Sequence, residues 1–373
     1  MLENSTIHWG ESGTERAARW HSESNVATPK RVIVADDQLS ADAAFRLASE
    51  GTGLLWRGDF HNAKQLLQAL ARRVDRNKPK PAKSANDAFH VQRQQQAQRA
   101  NVMGKVLIQF GDNYRIDLRR APDVTQACFE AYGPATEPFV ASLRELLGII
   151  GAHQWRKNGI DIPAAGGRIH PHYGVFAPLR SEYIELVANA QMPETAEAFD
   201  VGTGTGVLAA VLAKRGVGKI IATDQDPRAL VCAKENVERL GFGNRIEVVE
   251  RDLFPEGKAQ LIVCNPPWVP ARPSSPLEHS VYDPDSKMLR GFLAQLTAHM
   301  APGGEGWLIL SDLAEHLGLR TRDSLMAMFS DAGVTVKEKI DARPKHPKIF
   351  DQEDPLHVAR KAEMTSLWRL IAR

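Results

Sequence analysis

Cysteine is scarce in this sequence, and its spacing excludes two kinds of structural site. The 373 residues contain three cysteines, Cys128, Cys232 and Cys264, and no two of them form a Cys-x-x-Cys pair. This pattern indicates neither a zinc knuckle nor a disulfide framework, and the low count is typical of a reducing compartment. We therefore expect a cytoplasmic protein that uses no metal.

Long apolar runs are also lacking. A membrane-spanning helix needs about 18 consecutive apolar residues or more, and no run of that length occurs in the sequence. No membrane span is expected. Residues 1–30 are polar, mixed and without a period, which predicts a disordered or loosely ordered tail.

The chain as a whole has almost no net charge, but positive charge is concentrated in one part of it. The formal net charge is +2, whereas the segment from Arg57 to Arg120 holds fourteen Lys and Arg, five Asp and no Glu, a net charge of +9. We call this stretch the basic segment. Clustered cations favour phosphate binding, so RNA is one expected partner. A solvated helical face explains the same charges without a partner.

The chain changes character near residue 160. Apolar positions in helical spacing dominate residues 31–160, together with a predicted hairpin near 106–118, so this part is expected to form a small, mainly helical domain. Strands and helices alternate over residues 161–373, which predicts βαβ crossovers and a doubly wound, mostly parallel, Rossmann-like sheet of seven strands. No helix separates the last two strands, so one of them is expected to run antiparallel at that side. The predicted strands are 198–201, 219–223, 245–249, 260–264, 306–310, 334–339 and 365–370.

A glycine-rich turn follows the first of these strands. Gly202, Gly204 and Gly206 come directly after Asp200 and Val201, where glycine lets the backbone turn sharply and approach a ligand. A dinucleotide fingerprint would place its third glycine at position 207, which is Val207. The spacing favours a nucleoside ligand without phosphates, although a tight turn with no ligand has the same pattern.

Acidic residues end the next two strands. Asp224 is placed to accept hydrogen bonds from both ribose hydroxyls, and Asp252 to accept from an adenine amino group that Leu253 would cover. Asp226 is expected instead to cap the following helix, ahead of Pro227.

The fourth strand ends in Asn265-Pro266-Pro267-Trp268. The Asn265 side-chain oxygen and the Pro266 carbonyl can both accept hydrogens from one –NH2 group, and Trp268 offers a flat face for stacking. A rigid Pro-Pro loop after a buried strand is the simpler explanation of the same residues.

His170 and His172 have the spacing of metal ligands, but no third ligand is evident in the sequence. We expect this Gly/Pro/His segment to lie over the cofactor instead.

Residues from about 165 to 373 resemble class I S-adenosylmethionine-dependent methyltransferases. The Asn-Pro-Pro-Trp tetrad resembles the motif of amino-methyltransferases, which act on exocyclic base amines or a glutamine side-chain amide. The order Asp252-Leu253-Phe254, then Asn265-Pro266-Pro267, then Pro302-Gly303-Gly304 is similar to release-factor glutamine methyltransferases and small-domain RNA methyltransferases. Trp268 departs from that glutamine family, which usually has Tyr, and the N-terminal part is longer and more basic.

The resemblance implies S-adenosyl-L-methionine as cofactor and a planar amino or amide nitrogen as methyl acceptor, in RNA or in a translation protein. A small-molecule acceptor, with the N-terminal domain as a lid, and a non-catalytic scaffold are the alternatives. The predicted cofactor-binding residues are Asp200, Gly202, Gly204, Gly206, Asp224, Asp252, Leu253 and Asn265. The predicted catalytic residues are Asn265, Pro266 and Trp268.

Overall fold

The computed structural model describes residues 5–76, 82–135, 137–273, 278, 280–345 and 349–373. The chain divides into two compact units. Unit 1 comprises Met1–Ala82 and His90–Gln154, and unit 2 comprises Lys83–Phe89 and Trp155–Arg373. No helix among the described residues is both long and apolar enough to cross a membrane.

Unit 1 is built on a six-stranded mixed sheet, in the order β1-β2-β6-β5-β4-β3. The strands are β1 Thr6–Glu11, β2 Thr14–Trp20, β3 Val32–Ala35, β4 Gly53–Trp56, β5 Val106–Phe110 and β6 Phe139–Ser142. The first five helices of the chain are α1 Ala41–Ser49, α2 Phe60–Arg76, α3 Ala85–Met103, α4 Thr125–Tyr132 and α5 Leu143–Asn158. Helices are as abundant as expected, but the prediction of a mainly helical domain missed the sheet.

The predicted loose tail is wrong for residues 6–20, which form an antiparallel hairpin of β1 and β2. Ile7, Trp9 and Trp20 are buried and pack together with Leu55 and Leu107. Burial alternates along β1, as a half-buried strand requires. The alternation is hard to detect in the sequence because only two apolar side chains of β1, Ile7 and Trp9, carry it.

The predicted hairpin near 106–118 is also wrong. Val106–Phe110 is a strand, but it pairs with β4 in parallel and with β6 antiparallel. Its expected partner, residues 114–118, is not a strand, because a 3-10 turn at Asp112–Tyr114 carries the chain away. The true partner, Phe139–Ser142, lies inside a stretch predicted to be helical. For Phe139–Ser142, pairing with a strand that is distant in the sequence outweighs the local helical pattern.

The carboxyl ends of β3 and β4 in unit 1 are filled by the chain's own side chains. The buried Asp59 carboxylate accepts bonds from Arg119 Nε at 2.8 Å and Arg120 Nε at 2.7 Å. Asp37 accepts from the Asp59 peptide N–H at 3.0 Å. Ligands of open α/β sheets bind at such strand ends, so these ion pairs occupy that position in unit 1.

Unit 2 contains the predicted seven-stranded sheet, in the order β11-β10-β9-β12-β13-β15-β14. Six strands are parallel, and β15 runs antiparallel between β13 and β14, so the sheet is mixed. The strands are β9 Glu197–Val201, β10 Lys219–Asp224, β11 Ile246–Glu250, β12 Ala259–Cys264, β13 Met300–Ser311, β14 Val334–Ala342 and β15 Thr365–Ala372, preceded by a small ribbon of β7 Ile160–Ile162 and β8 Gly167–Ile169.

Helices cover both faces of this sheet. One apolar core includes Leu208, Leu212 and Val237, and the other includes Phe292, Leu296 and Phe329. The helices of unit 2 are α6 Glu182–Asn189, α7 Val207–Lys214, α8 Pro227–Arg239, α9 Lys287–His299, α10 Leu313–His316, α11 Arg322–Asp331 and α12 His357–Ala362. The three layers match the architecture expected for alternating strands and helices.

The hairpin of residues 6–20 generates a stability prediction. Ile7→Ala should lower the free energy of unfolding of unit 1 by about 2–5 kcal/mol, because Ile7 is 1% exposed and its truncation leaves a cavity. Glu15→Ala, on the exposed face of the same hairpin, is the control and should change it by less than about 0.5 kcal/mol. Denaturant unfolding measures both, and equal effects would contradict the packing described.

Candidate functional site

The carboxyl ends of β9, β10 and β12 meet at one edge of the sheet in unit 2. Strand β9 lies between the other two, with Val201 beside both Thr223 and Cys264. The strand order reverses at this point, which is where open α/β sheets bind ligands. The glycine turn, Asp224 and Asn265 therefore reach the same edge, as predicted.

The glycine turn after β9 needs glycine for two different reasons. Gly206 has φ +80°, which strains any residue with a side chain, and an added Cβ would also make a tight contact of 3.3 Å with the Ala233 Cα of helix α8. Gly204 has φ +55°, and an added Cβ would meet no atom within 4 Å. The backbone at Gly204 thus borders open space, which a ligand of the turn requires.

Asp200, which is predicted to bind the cofactor, bonds to the turn and to the start of α7. Its side chain is buried, and one oxygen accepts from the Thr203 hydroxyl at 2.6 Å and from the Ala209 peptide N–H at 3.0 Å. Burial raises the pKa of Asp200 to about 6, against the opposing effect of those two bonds. These bonds fix the turn to the start of α7.

Asp224 at the end of β10 is joined directly to the turn. Its Oδ2 accepts from the Gly204 N–H at 2.9 Å, and its Oδ1 accepts from the Asp226 N–H at 3.0 Å. Burial raises the pKa of Asp224. Each carboxylate oxygen can accept a further hydrogen bond, which two neighbouring ribose hydroxyls can supply. Asp226 caps α8 by accepting from the Arg228 N–H at 2.9 Å, which confirms its predicted role.

Asp252 and Leu253 follow β11, the strand that lies next to β10 on the side away from β9. The Asp252 side chain is exposed and the Leu253 side chain is half-buried. Leu253 has φ +74°, a costly backbone conformation for a bulky residue. The Thr223 hydroxyl donates to the Leu253 carbonyl and holds this backbone in place. Sequence reasoning identified Leu253 but had no signal for its unusual conformation.

The Asn265-Pro266-Pro267-Trp268 segment follows β12. The Asn265 side chain is half-buried, and its Oδ1 accepts a hydrogen bond from Trp268 Nε1 at 2.8 Å. Because an indole N–H only donates, the Asn265 atom that faces it must be oxygen. That oxygen has a second lone pair for another donor.

Trp268 has contacts that the sequence did not reveal. The guanidinium carbon of Arg180 lies 4.6 Å from the centroid of its ring, within the range of a cation–π interaction. One face of the indole is thus covered by Arg180. Arg180 is 88 residues away along the chain, so no local pattern links the two.

Asp283 lies in the segment after Trp268, a stretch whose acidic and histidine side chains could line the mouth of the site. Asp283 is buried and accepts the peptide N–H groups of Met288 at 3.0 Å and Leu289 at 3.2 Å. Burial raises its pKa, and these bonds oppose the shift. It therefore anchors the start of α9, while the neighbouring His279 lies outside the described residues.

The two histidines before α6 have separate partners. His172 Nε2 lies 2.9 Å from Glu235 Oε2, whereas His170 Nδ1 lies 2.6 Å from the Arg156 carbonyl oxygen. The described part of the chain contains no cluster of three or more His, Cys, Asp or Glu side chains that could hold a metal.

Comparison with known proteins finds methyltransferases among the proteins similar to this chain. Residues 167–339 match the family model "Methyltransferase small domain". A release factor glutamine methyltransferase of Geobacter sulfurreducens is 30% identical over 168 residues, which cover 41% of this chain and 56% of that protein. A tRNA1(Val) (adenine(37)-N6)-methyltransferase of Pedobacter heparinus is 29% identical over 180 residues, covering 46% and 74%.

A ribosomal protein L11 methyltransferase of Pelotomaculum thermopropionicum is 45% identical over 69 residues, 18% of this chain and 22% of that protein. The chain spans about half or less of the length of the first three curated relatives it matches. A solved S-adenosyl-L-homocysteine complex of a methyltransferase from Thiobacillus denitrificans aligns with 60% of this chain and 98% of its own, at 15% identity and a TM-score of 0.38.

The glycine turn, Asp224 and Asn265 all fall inside the matched residues. The family model and the named relatives agree on the reaction and differ in the acceptor. Residues 167–339 are therefore similar to a methyltransferase domain.

Proposed function

We propose that this protein transfers a methyl group from S-adenosyl-L-methionine to a planar amino or amide nitrogen of a macromolecule, either an RNA base or a protein glutamine. The observation that carries the proposal is the Asn265 side-chain oxygen, which follows the carboxyl end of β12 and is held by Trp268 Nε1, one residue before the Pro266 carbonyl. Both oxygens are hydrogen-bond acceptors, and the glycine turn lies on the neighbouring strand.

The residues of the cofactor edge suit a nucleoside. Asp224 presents two carboxylate oxygens to ribose hydroxyls, and Gly204 leaves open space beside its backbone. Asp252 is exposed and able to accept from an adenine amino group, with Leu253 beside it as an apolar cover. When bound, S-adenosyl-L-methionine supplies a methyl group already activated by its sulfonium charge.

Asn265 and Pro266 then need only orient the acceptor. Two oxygens that accept hydrogens from one –NH2 group fix the direction of its nitrogen lone pair. They also stabilise the positive charge that develops as that nitrogen becomes tetrahedral. The Trp268 N–H uses one lone pair of the Asn265 oxygen. The other lone pair is left for the amine that receives the methyl group.

The relatives support the macromolecular acceptor in two versions. The Geobacter protein is named for the glutamine of a release factor, and the Pedobacter protein for N6 of an adenine in tRNA. Both targets are planar nitrogens, which is what an oxygen pair such as that of Asn265 and Pro266 selects.

An RNA acceptor has some support from the basic segment, although much of its charge is already paired. Its arginines form ion pairs with Glu11, Asp42, Asp59 and Asp75. Arg72 and Arg76 are exposed on α2. Lys78 and Lys80 lie outside the described residues.

Cofactor binding should depend on Gly204 and Asp224. Gly204→Val forces a β-branched residue into the left-handed region and into the ligand's space, and Asp224→Ala removes the ribose acceptor. Calorimetry with S-adenosylhomocysteine should show at least a tenfold weaker Kd for each variant. Asp226→Ala is the matched control, because it removes the helix cap two residues away and should leave the Kd unchanged. Wild-type affinity in both Gly204→Val and Asp224→Ala would reject this cofactor site.

The same titration should depend on pH through Asp224. The ribose hydroxyls donate, so they favour the ionised carboxylate, and burial raises the pKa of Asp224 above its ordinary value. Affinity for S-adenosylhomocysteine should therefore fall on acidification, beginning at a higher pH than for an exposed Asp. Asp224→Asn should bind more weakly at neutral pH and lose this component of the pH dependence.

The methyl-transfer reaction is tested with methyl-labelled cofactor and a fractionated cell extract. Label should enter either the RNA or the protein fraction, which identifies the acceptor class, and release of label with small molecules would favour the lid alternative. Asn265→Ala should lower the rate by roughly a hundredfold or more, the usual scale for one placed polar group. Its affinity for S-adenosylhomocysteine should remain nearly intact.

Gln260→Ala is the control for that substitution, because Gln260 is an amide near the opposite end of the same strand. It should transfer methyl groups at the wild-type rate. Full turnover by Asn265→Ala on the labelled acceptor would contradict an amino acceptor and favour an oxygen or carbon target.

If the acceptor is RNA, the basic segment should contribute to binding. Affinity for an unmodified tRNA transcript should fall steeply with salt, and Arg72→Glu with Arg76→Glu should weaken it and flatten the salt dependence by about 0.9 per lost phosphate contact. The double change Arg16→Glu with Arg46→Glu alters the net charge equally at exposed positions outside the segment and should weaken binding less. Equal losses in the two double variants would remove the role of the segment.

A further inference from the structure

Trp268 links the Asn265 side chain to a half-buried arginine, Arg180. Its Nε1 donates to Asn265 Oδ1 at 2.8 Å, and the guanidinium of Arg180 lies 4.6 Å from its ring centroid. Trp268 itself is half-buried. It packs against the apolar cores on the two faces of the unit 2 sheet and against a third apolar cluster that contains Val269 and Phe89. The indole is therefore held on several sides.

Arg180 is itself fixed by residues from separate parts of unit 2. Its Nη2 donates to Glu363 Oε1 at 3.0 Å and to the Thr365 hydroxyl at 3.2 Å, and its Nε donates to Glu182. The Glu363 and Glu182 side chains are 0% and 2% exposed. A fork of donors held by two buried carboxylates has little freedom to turn.

Glu363 connects Arg180 to strand β13. The Ser311 hydroxyl, at the end of β13, donates to Glu363 Oε1 at 2.6 Å. Ser311 and Thr365 are neighbours in the register of β13 and β15. The ends of β12, β13 and β15 are thereby joined through Glu363, Arg180 and Trp268.

We propose that Arg180 is a positioning residue for methyl transfer: it holds the Trp268 ring, and the indole N–H in turn selects the orientation of the Asn265 carboxamide. This inference rests on the proposed function. A carboxamide can turn over by 180°, which exchanges its oxygen and its –NH2 group. In the turned-over form, two donors would face each other at the indole, so the indole favours the form that offers oxygen to the acceptor amine.

This role differs from that of a stacking platform. Arg180 already covers one face of the indole, so a planar acceptor could stack only on the other. Trp268→Phe separates the two roles, because phenylalanine keeps an aromatic face and loses the N–H donor. Positioning predicts that Trp268→Phe lowers the transfer rate by on the order of tenfold to a hundredfold, whereas stacking alone predicts little change.

The first measurement needs no acceptor. In protein labelled with ¹⁵N at the indole nitrogens, the Trp268 N–H resonance is the one that disappears in Trp268→Phe. Asn265→Ala should move it toward the position of an indole that lacks a hydrogen bond, and Arg180→Met should move it in the same direction. Arg322→Met is the matched control, because Arg322 lies 5.2 Å over the ring of Trp368 and also pairs with a carboxylate. It should leave the Trp268 resonance in place.

The second measurement is label transfer to the acceptor fraction at saturating cofactor. Arg180→Met should lower the rate at least tenfold while its Kd for S-adenosylhomocysteine stays within twofold of wild type, which also shows that the variant is folded. Arg180→Lys keeps a cation over the ring and should retain more activity than Arg180→Met. Arg322→Met should match the wild type.

Two results would overturn the proposal. One is a Trp268 resonance that does not move in Arg180→Met, whatever happens to the rate. The other is a moved resonance with an unchanged rate. If wild-type protein labels no acceptor, the proposed function fails, while the resonance still decides whether Arg180 holds Trp268 against Asn265.

Discussion

The hydrogen bond from the Gly204 peptide to the Asp224 carboxylate organises the cofactor edge of unit 2. It ties the glycine turn after β9 to the end of β10, and Asp200 ties the same turn to α7. Both carboxylates have raised pKa values because they are buried. The turn is thus fixed by two carboxylates, whose burial disfavours their charged forms.

The two units treat the carboxyl ends of their parallel strands in opposite ways. In unit 1, Asp59 at the end of β4 is closed by Arg119 and Arg120. In unit 2, Asp224 at the end of β10 accepts hydrogen bonds from the Gly204 and Asp226 peptide N–H groups, and each of its oxygens can accept a further bond. The carboxylate at the strand end is therefore paired with arginines in unit 1 and with peptide N–H groups in unit 2. The difference depends on which side chains follow each strand.

Much of unit 2 could be predicted because its signals are local. Buried parallel strands such as β9 and β12 are short apolar runs that end in glycine, proline or a polar residue, and each helix between them has its own period. The Asp226 cap and the positions of Asp224 and Asn265 follow from the same local pattern. In unit 1 the strands pair across long separations, so the hairpin of residues 6–20 and the pairing of β5 with β6 had no adequate local signal.

The contacts around the acceptor side of the site were beyond sequence reasoning for a related reason. Asn265 and Trp268 are three residues apart, but their hydrogen bond depends on the two prolines between them bending the chain after a buried strand. Arg180 reaches Trp268 from the segment before α6, and Glu363 reaches Arg180 from the segment before β15. Because β15 runs antiparallel, its first residue Thr365 pairs with Ser311 at the end of β13, and Glu363 and Thr365 both bind Arg180. A motif read along the chain identifies Asn265, whereas the fold determines which distant residues contact Trp268, its hydrogen-bond partner.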